Sequence, residues 1–299
     1  MTTEYLPFAF LPVFKKPGPT SHDVVAKVRR LLPRKTKIGH TGTLDPFASG
    51  VLILAVGKAT RFSDDIHLFP KSYHATIRLG VRTDTLDLTG QEDAAMPVPE
   101  GWEDQLIKVA EQFTGELDQM PPIYSAKKIG GKKSYELARQ NKSVELSTRR
   151  VTIHNLKLTP IDGETLSCHV SCSTGTYIRS LGRDIAEALG TVGHLIQLER
   201  TGVGPINGQN CPSPDDLTPE NLGQYLVPVP KVLPQFPELN IPTEVFRMLI
   251  QGRPYQTAER FPKHFLGVYQ SDDQIQAIFR CEYDEMVKVL NSKMLCYQA

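Results

Sequence analysis

The 299 residues carry 34 Lys and Arg against 33 Asp and Glu, and 40% of them are hydrophobic. That balance excludes collagen-like, disordered and membrane-embedded chains and leaves a soluble globular protein long enough for a full core. Five scattered cysteines, with no C-x-x-C pair among Cys168, Cys172, Cys211, Cys281 and Cys296, point to a reducing, cytoplasmic setting.

The net charge of +1 hides a segregation along the chain. Basic residues gather between Lys15 and Lys37 and again between Lys127 and Arg150, with an acidic stretch from Asp84 to Asp118 between them. One charge run is usually a solvated face, but two basic blocks around a shaped loop shift the reading toward a polyanionic partner.

In chain order, Tyr5 to Phe14 has two prolines and no basic flank before it, so it reads as neither a signal peptide nor a membrane span. Lys16 to Ser21 is a turn, with Thr20 or Ser21 as N-cap of a helix. That helix buries Val24, Val25, Val28, Leu31 and Leu32, carries Lys27, Arg29 and Arg30 elsewhere, and ends at Pro33. Gly39 to Gly50 then forms a loop that feeds the buried strand from Val51 to Val56. Within the loop, Pro46 holds Asp45 on a stiff turn, and the glycines and His40 suggest a ligand approaching the backbone closely. Gly57-Lys58-Ala59-Thr60 lacks the spacing of a phosphate loop.

Tyr73 to Leu79 alternates like a half-buried strand, with Tyr73 at its entrance on the core side. A polar turn from Thr83 to Gly90 precedes a helix built on Leu106, Val109, Ala110 and Phe113. From Pro121 to Lys133 the chain reads as a projecting cationic loop, in which Tyr124 and the later Tyr135 suit stacking on bases. Leu166 to Cys172 is a strand with its cysteines in the core. Ser173 to Thr176 is expected to cap a helix with Ile178, Leu181, Ile185 and Leu189 inside. Arg179 falls in that helix's first turn, where the dipole disfavours a cation, so a partner carboxylate or simple solvation is expected. Leu195, Ile196 and Leu198 start another strand. A proline-rich linker from Cys211 leads to a small β-rich domain at about 241–299.

No metal-ligand cluster, nucleophile elbow or dinucleotide fingerprint is present in the sequence. A carboxylate on a shaped loop with basic surroundings fits chemistry at a sugar carbon, with Asp84 or Asp87 available as a second carboxylate. Spacing alone leaves open a glycosidase, a nucleoside-modifying enzyme and an RNA-binding protein without chemistry.

The run Gly39-His40-Thr41-Gly42-Thr43-Leu44-Asp45-Pro46-Phe47-Ala48-Ser49-Gly50-Val51-Leu52 resembles the catalytic motif of the TruB family of bacterial tRNA pseudouridine synthases. Lys16-Pro17-Gly18, Tyr73, Arg82-Thr83-Asp84-Thr85, Pro122-Ile123-Tyr124-Ser125-Ala126, Gly131-Lys132-Lys133 and Gly175-Thr176-Tyr177-Ile178-Arg179 follow in that family's order, so the resemblance covers about residues 10 to 205. It implies isomerisation of the T-loop uridine at tRNA position 55, with Asp45 as essential carboxylate acting on a flipped-out base. It further implies that Tyr73 stacks on the uracil and handles protons, that Arg179 pairs with Asp45, that Leu198 packs on the base, and that His40 stacks nearby. Lys16, Lys127, Lys128, Lys132 and Lys133 would contact RNA, the last four from a thumb-like insertion at about 120–150. Glu199 stands where many relatives have a basic residue, which puts a phosphate contact there in doubt.

The implied fold is α+β, a mixed and mainly antiparallel sheet flanked by helices over residues 1–235, followed by a PUA-like RNA-binding domain at 241–299. No metal or cofactor is implied. The expected partner is the T-arm of tRNA, with no membrane and no obligate protein partner, for a monomer. A tRNA-folding chaperone, with catalysis secondary, is the alternative. A guide-RNA-dependent relative is a third reading, against which the thumb-like segment argues.

Overall fold

The computed structural model describes residues 8–123, 128–129, 132–133, 147–257, 259–271, 274–286 and 289–297. It opens with β1 (Phe8–Lys15), an apolar run buried from Ala9 to Val13, as a strand with both faces covered requires. Thr20 closes a capping box with Asp23 and starts α1 (Ser21–Arg29), which satisfies N–H groups that the helix itself cannot. There follow β2 (Ile38–His40), β3 (Ser49–Gly57), α2 (Ser63–His67), β4 (Lys71–Leu79), β5 (Val81–Thr83), β6 (Glu92–Ala95), α3 (Leu106–Phe113) and β7 (Gly115–Gln119). Next come the small hairpin of β8 (Lys128–Ile129) and β9 (Lys132–Lys133), then β10 (Arg149–Asp162), β11 (Thr165–Cys172), α4 (Ile178–Ala188), β12 (Gly193–Val203), β13 (Ile206–Asn207), β14 (Val227–Pro228) and α5 (Val229–Val232).

The main sheet runs β14-β1-β3-β12-β4-β11-β10-β7, with β2 beside β3 and β13 beside β12. Its pairs are antiparallel except β3 with β12, which meet for two residues, Ser49 opposite Glu199 and Gly50 opposite Arg200. That short parallel contact lies directly after the Asp45 loop. On one face α1, α3 and α4 bury Val25, Val28, Val109, Leu181 and Ile185 against Leu52, Leu54, Ile77, Leu195 and Leu198. On the other face Phe10, Val51, Ile53 and Ala55 pack with Phe62, Ile66, Val229, Val232 and Leu233.

A second sheet is built from β15 (Glu238–Asn240), β16 (Tyr255–Gln256), β17 (His264–Ser271), β18 (Gln274–Asp284) and β19 (Val289–Tyr297), in the order β15-β17-β18-β19-β16, with α6 (Thr243–Leu249) packed against it. Leu266 and Ile278 from this sheet join the second face of the main one, and Arg280 pairs with Asp65 on α2. The architecture is the α+β arrangement expected from the sequence, with the second sheet beginning at Glu238. No helix among the described residues is long and apolar enough to cross a membrane.

The start of α4 corrects one expectation. Ser173 to Thr176 do not cap it: the N-cap is Tyr177, which receives no side-chain cap from that run. The buried Gln119 carboxamide instead holds the N-cap residue from β7, accepting from the Tyr177 N–H at 2.8 Å and donating to the Tyr177 carbonyl at 3.1 Å. Ser173 instead accepts from the Thr152 N–H, and Thr176 donates to the Ser173 carbonyl. A tether from a distant strand leaves no local signature.

Candidate active site

Asp45 sits in the loop between β2 and β3, and its surroundings tie down almost every part of that loop. The Ser21 hydroxyl, at the start of α1, accepts from the Leu44 N–H at 2.9 Å and lies 3.1 Å from the Leu44 carbonyl. The Pro46 carbonyl accepts from the Gly18 N–H at 2.8 Å and from the Lys15 ammonium at 3.2 Å. The Ala48 N–H closes a turn onto the Asp45 carbonyl. A carboxylate on a main chain so constrained is preorganised rather than mobile.

The expected pairing of Arg179 is present. From the first turn of α4 its Nε reaches Asp45 Oδ2 at 2.9 Å, and its Nη1 lies 3.4 Å from Asp87 Oδ2 and donates to the Thr85 carbonyl at 2.9 Å. Two carboxylates thus share one buried guanidinium, which resolves the conflict of a cation at a helix start. Their environments differ. Asp87 is buried, and its other oxygen accepts from the Thr85 hydroxyl, the Thr89 hydroxyl and the Thr89 N–H. The Asp45 side chain keeps 35% of its surface in solvent. Asp87 is built into the scaffold, whereas Asp45 is held and still reachable.

Tyr73 enters from β4, with Arg200 directly opposite it on β12 and Leu198 opposite Ala75. Burial pushes the Tyr73 phenol above its ordinary pKa, while the Arg200 charge opposes the rise. Leu198 is buried in the main core beneath the site. His40 lies on β2, edge-on to His22 with ring centroids 5.3 Å apart, and its Nδ1 is buried without a partner. Burial, then the His22 and Arg200 charges, lowers the His40 pKa, so His40 presents a neutral ring at pH 7.

Lys16 is exposed, 3.5 Å from Asp215, which also pairs with Lys27 from α1. Lys128, Lys132 and Lys133 lie on the β8–β9 hairpin, and Lys127 falls outside the described residues. The described residues hold no cluster of His, Cys, Asp or Glu suited to a metal ion.

Two site residues escaped the sequence reading. Arg200 is 3% exposed and its guanidinium donates to Val51, Gly42 and Thr43 carbonyls. Lys15, fully buried at the end of β1, has its ammonium pulled down to about 8, mainly by burial, with the Asp45 charge opposing and the Arg200 charge adding. The available signal was a charged residue on the inward face of an otherwise apolar strand. Gly50 also corrects an expectation. Its φ is +110°, and a Cβ there would lie 2.2 Å from the Arg200 carbonyl, so this glycine serves the approach of β12 rather than of a ligand.

The chain matches the model of the TruB family of pseudouridylate synthases (N-terminal domain) over residues 29–178. The chain belongs to this family. Among TruB relatives, tRNA pseudouridine synthase B of Aromatoleum aromaticum is 41% identical over 242 residues, spanning 80% of this chain and 78% of that protein. The enzyme of the same name from Tolumonas auensis is 37% identical and spans 87% of both chains. The fold extends beyond the bacterial TruB proteins: a chain in a solved Cbf5–Nop10–Gar1 complex superposes with a TM-score of 0.70 at 25% identity, over 99% of this chain and 88% of that one.

Proposed function

We infer that this chain converts a uridine of tRNA to pseudouridine and that its target is the T-loop uridine at position 55, with Asp45 as the reacting carboxylate. The observation that carries the assignment of Asp45 is its pairing with Arg179 on a fully tethered loop while part of its carboxylate remains open to solvent. Relatives bearing the name tRNA pseudouridine synthase B support the reaction and the substrate.

In this reading the target nucleotide leaves the stack, because C1′ and C5 are shielded within it. The C1′–N1 bond breaks with Asp45 attacking C1′ or stabilising the positive charge that develops there. The freed uracil turns and C5 bonds to C1′, the C5 hydrogen leaves as a proton and N1 gains one. The product is an isomer of the substrate, so the atoms balance without an oxidant, reductant or group donor. Tyr73 stacks on the turning ring and handles the C5 proton, Arg179 keeps the Asp45 carboxylate aimed, and Leu198 and His40 bound the base. Lys16, Lys127, Lys128, Lys132 and Lys133 meet backbone phosphates. Residues 1–235 form the catalytic unit with a thumb-like insertion at about 120–150, and 241–299 a PUA-like RNA-binding unit. The chain works in the cytoplasm as a monomer, without a guide RNA or an obligate protein partner.

Tritium release from tRNA transcripts labelled with [5-³H]uridine tests this directly. Release by wild type, none by Asp45→Asn, and none attributable to the T-loop site when cytidine replaces its uridine are the expected results. Tight tRNA binding without release from any transcript would overturn the enzyme reading and favour a folding chaperone.

A further inference from the structure

Arg200 is a buried cation whose donors go to main-chain oxygens. Its Nε donates to the Val51 carbonyl at 2.7 Å, its Nη2 to Gly42 at 3.1 Å and its Nη1 to Thr43 at 3.3 Å. Gly42 and Thr43 lie just before Asp45 and Val51 lies after it, so one planar group spans both arms of the loop. Tyr73 stands opposite Arg200 where β4 pairs with β12. From the other side, the Lys15 ammonium donates to the carbonyl of Pro46, the residue after Asp45, and to its neighbour Lys16 at 3.0 Å. Burying a charge costs several kcal/mol unless its surroundings repay it, and burying two of them behind one loop is a poor way to stabilise a fold.

We propose that Arg200, with Lys15 as its counterpart, is a positioning residue that fixes the main chain on either side of Asp45. Neither residue need touch the substrate. Arg179 orients the Asp45 carboxylate, whereas Arg200 and Lys15 fix the backbone from which it projects. The rigid fork of a guanidinium reaches carbonyls on two segments at once, and a lysine ammonium, being a single point of charge, cannot reproduce that spread. The packing enforces this geometry: Gly50 lets β3 approach the Arg200 main chain so closely that any Cβ would collide, and this brings the guanidinium beneath the loop.

This inference rests on Asp45 being the reacting carboxylate. It is tested with Arg200→Lys, Arg200→Met and Lys15→Met, measuring single-turnover tritium release, tRNA affinity and melting temperature. Displacing a reacting group by about 1 Å costs on the order of 10²-fold in rate. Arg200→Met should therefore lose about that much in the single-turnover rate while binding tRNA within about 2-fold of wild type. Arg200→Lys, which keeps the charge and most of the volume, should recover only part of the rate, and Lys15→Met should lose about 10-fold without a change in affinity. A folded Arg200→Lys that reacts at the wild-type rate would overturn positioning, as would a variant whose only defect is weakened tRNA binding. If Arg200→Met fails to fold, Arg200→Lys decides alone. An active wild type with an unaffected Arg200→Lys sinks this inference only; a wild type that binds tRNA and releases no tritium sinks the assigned reaction and this inference with it.

Discussion

Replacing each of the two carboxylates that share Arg179 by asparagine separates holding the site together from running its chemistry. Asp87 is 6% exposed and Arg179 8% exposed at their side chains. In Asp87→Asn the oxygen facing the threonines can be kept only by turning the amide NH₂ toward the guanidinium, donor against donor. Breaking a buried ion pair costs about 3–5 kcal/mol, and because Arg179 keeps Asp45 the lower end, about 3 kcal/mol, applies. At roughly 2–4 °C per kcal/mol for a chain of this class, the melting temperature should drop by about 6–12 °C. Asp45→Asn removes a partner that is a third exposed, so its stability should stay within about 1 kcal/mol of wild type while tritium release disappears. Thermal unfolding followed by circular dichroism, alongside the release assay, reads both quantities. Asp87→Asn melting within about 2 °C of wild type would refute the reasoning, as would equal destabilisation by the two substitutions.

Lys15 carries a pH dependence whose sign is fixed by its lowered pKa, about 8 when folded against 10.5 as a free side chain. Between those values the unfolded chain holds more protons, so folding gains stability as pH rises through that window. The melting temperature of wild type should thus gain on that of Lys15→Met between about pH 8 and 10, and a constant difference would count against a buried ammonium there. Gly50→Ala places a Cβ 2.2 Å from the Arg200 carbonyl at a φ of +110°; the expected loss is of order 3 kcal/mol or more, with activity lost too, and a variant that melts like wild type would contradict the close approach of β3 and β12. Ser21→Ala frees the Leu44 main chain ahead of Asp45 and should slow the single-turnover rate by about 10-fold with tRNA affinity unchanged.

Much of this could be read along the chain because the signals are local. Thr20 or Ser21 offers an N-cap, Tyr73 to Leu79 alternates, and Leu106 to Phe113 repeats with the period of a helix; each forms the element its pattern specifies, with Thr20 as the cap. Arg179 was legible for a subtler reason. A cation at a helix start is locally unfavourable, which left a partner carboxylate or simple solvation open, and the family resemblance pointed to Asp45; two carboxylates pair with it. The residues that stayed hidden act across the fold. Gln119 holds the Tyr177 main chain ahead of α4 from β7, and Arg200 grips a loop some 150 positions earlier in the chain. Neither leaves a periodic trace, because what each contacts is set by strand order rather than by sequence neighbours. Gly50 misled in the other direction: a glycine in a functional loop suggests room for a ligand, and here the room is taken by a neighbouring strand.

The apolar contact between Leu266 and Ile278 and the far face of the main sheet sets how this protein can be divided. Ending the chain before Glu238 would leave that patch around Phe62, Ile66, Val232 and Leu233 facing water, together with the Asp65 carboxylate deprived of Arg280. An uncovered apolar face of that kind favours self-association. The C-terminal sheet is therefore a lid on the hydrophobic underside as well as an appended module, and an isolated catalytic fragment would need those positions redesigned as polar surface before it stayed monodisperse.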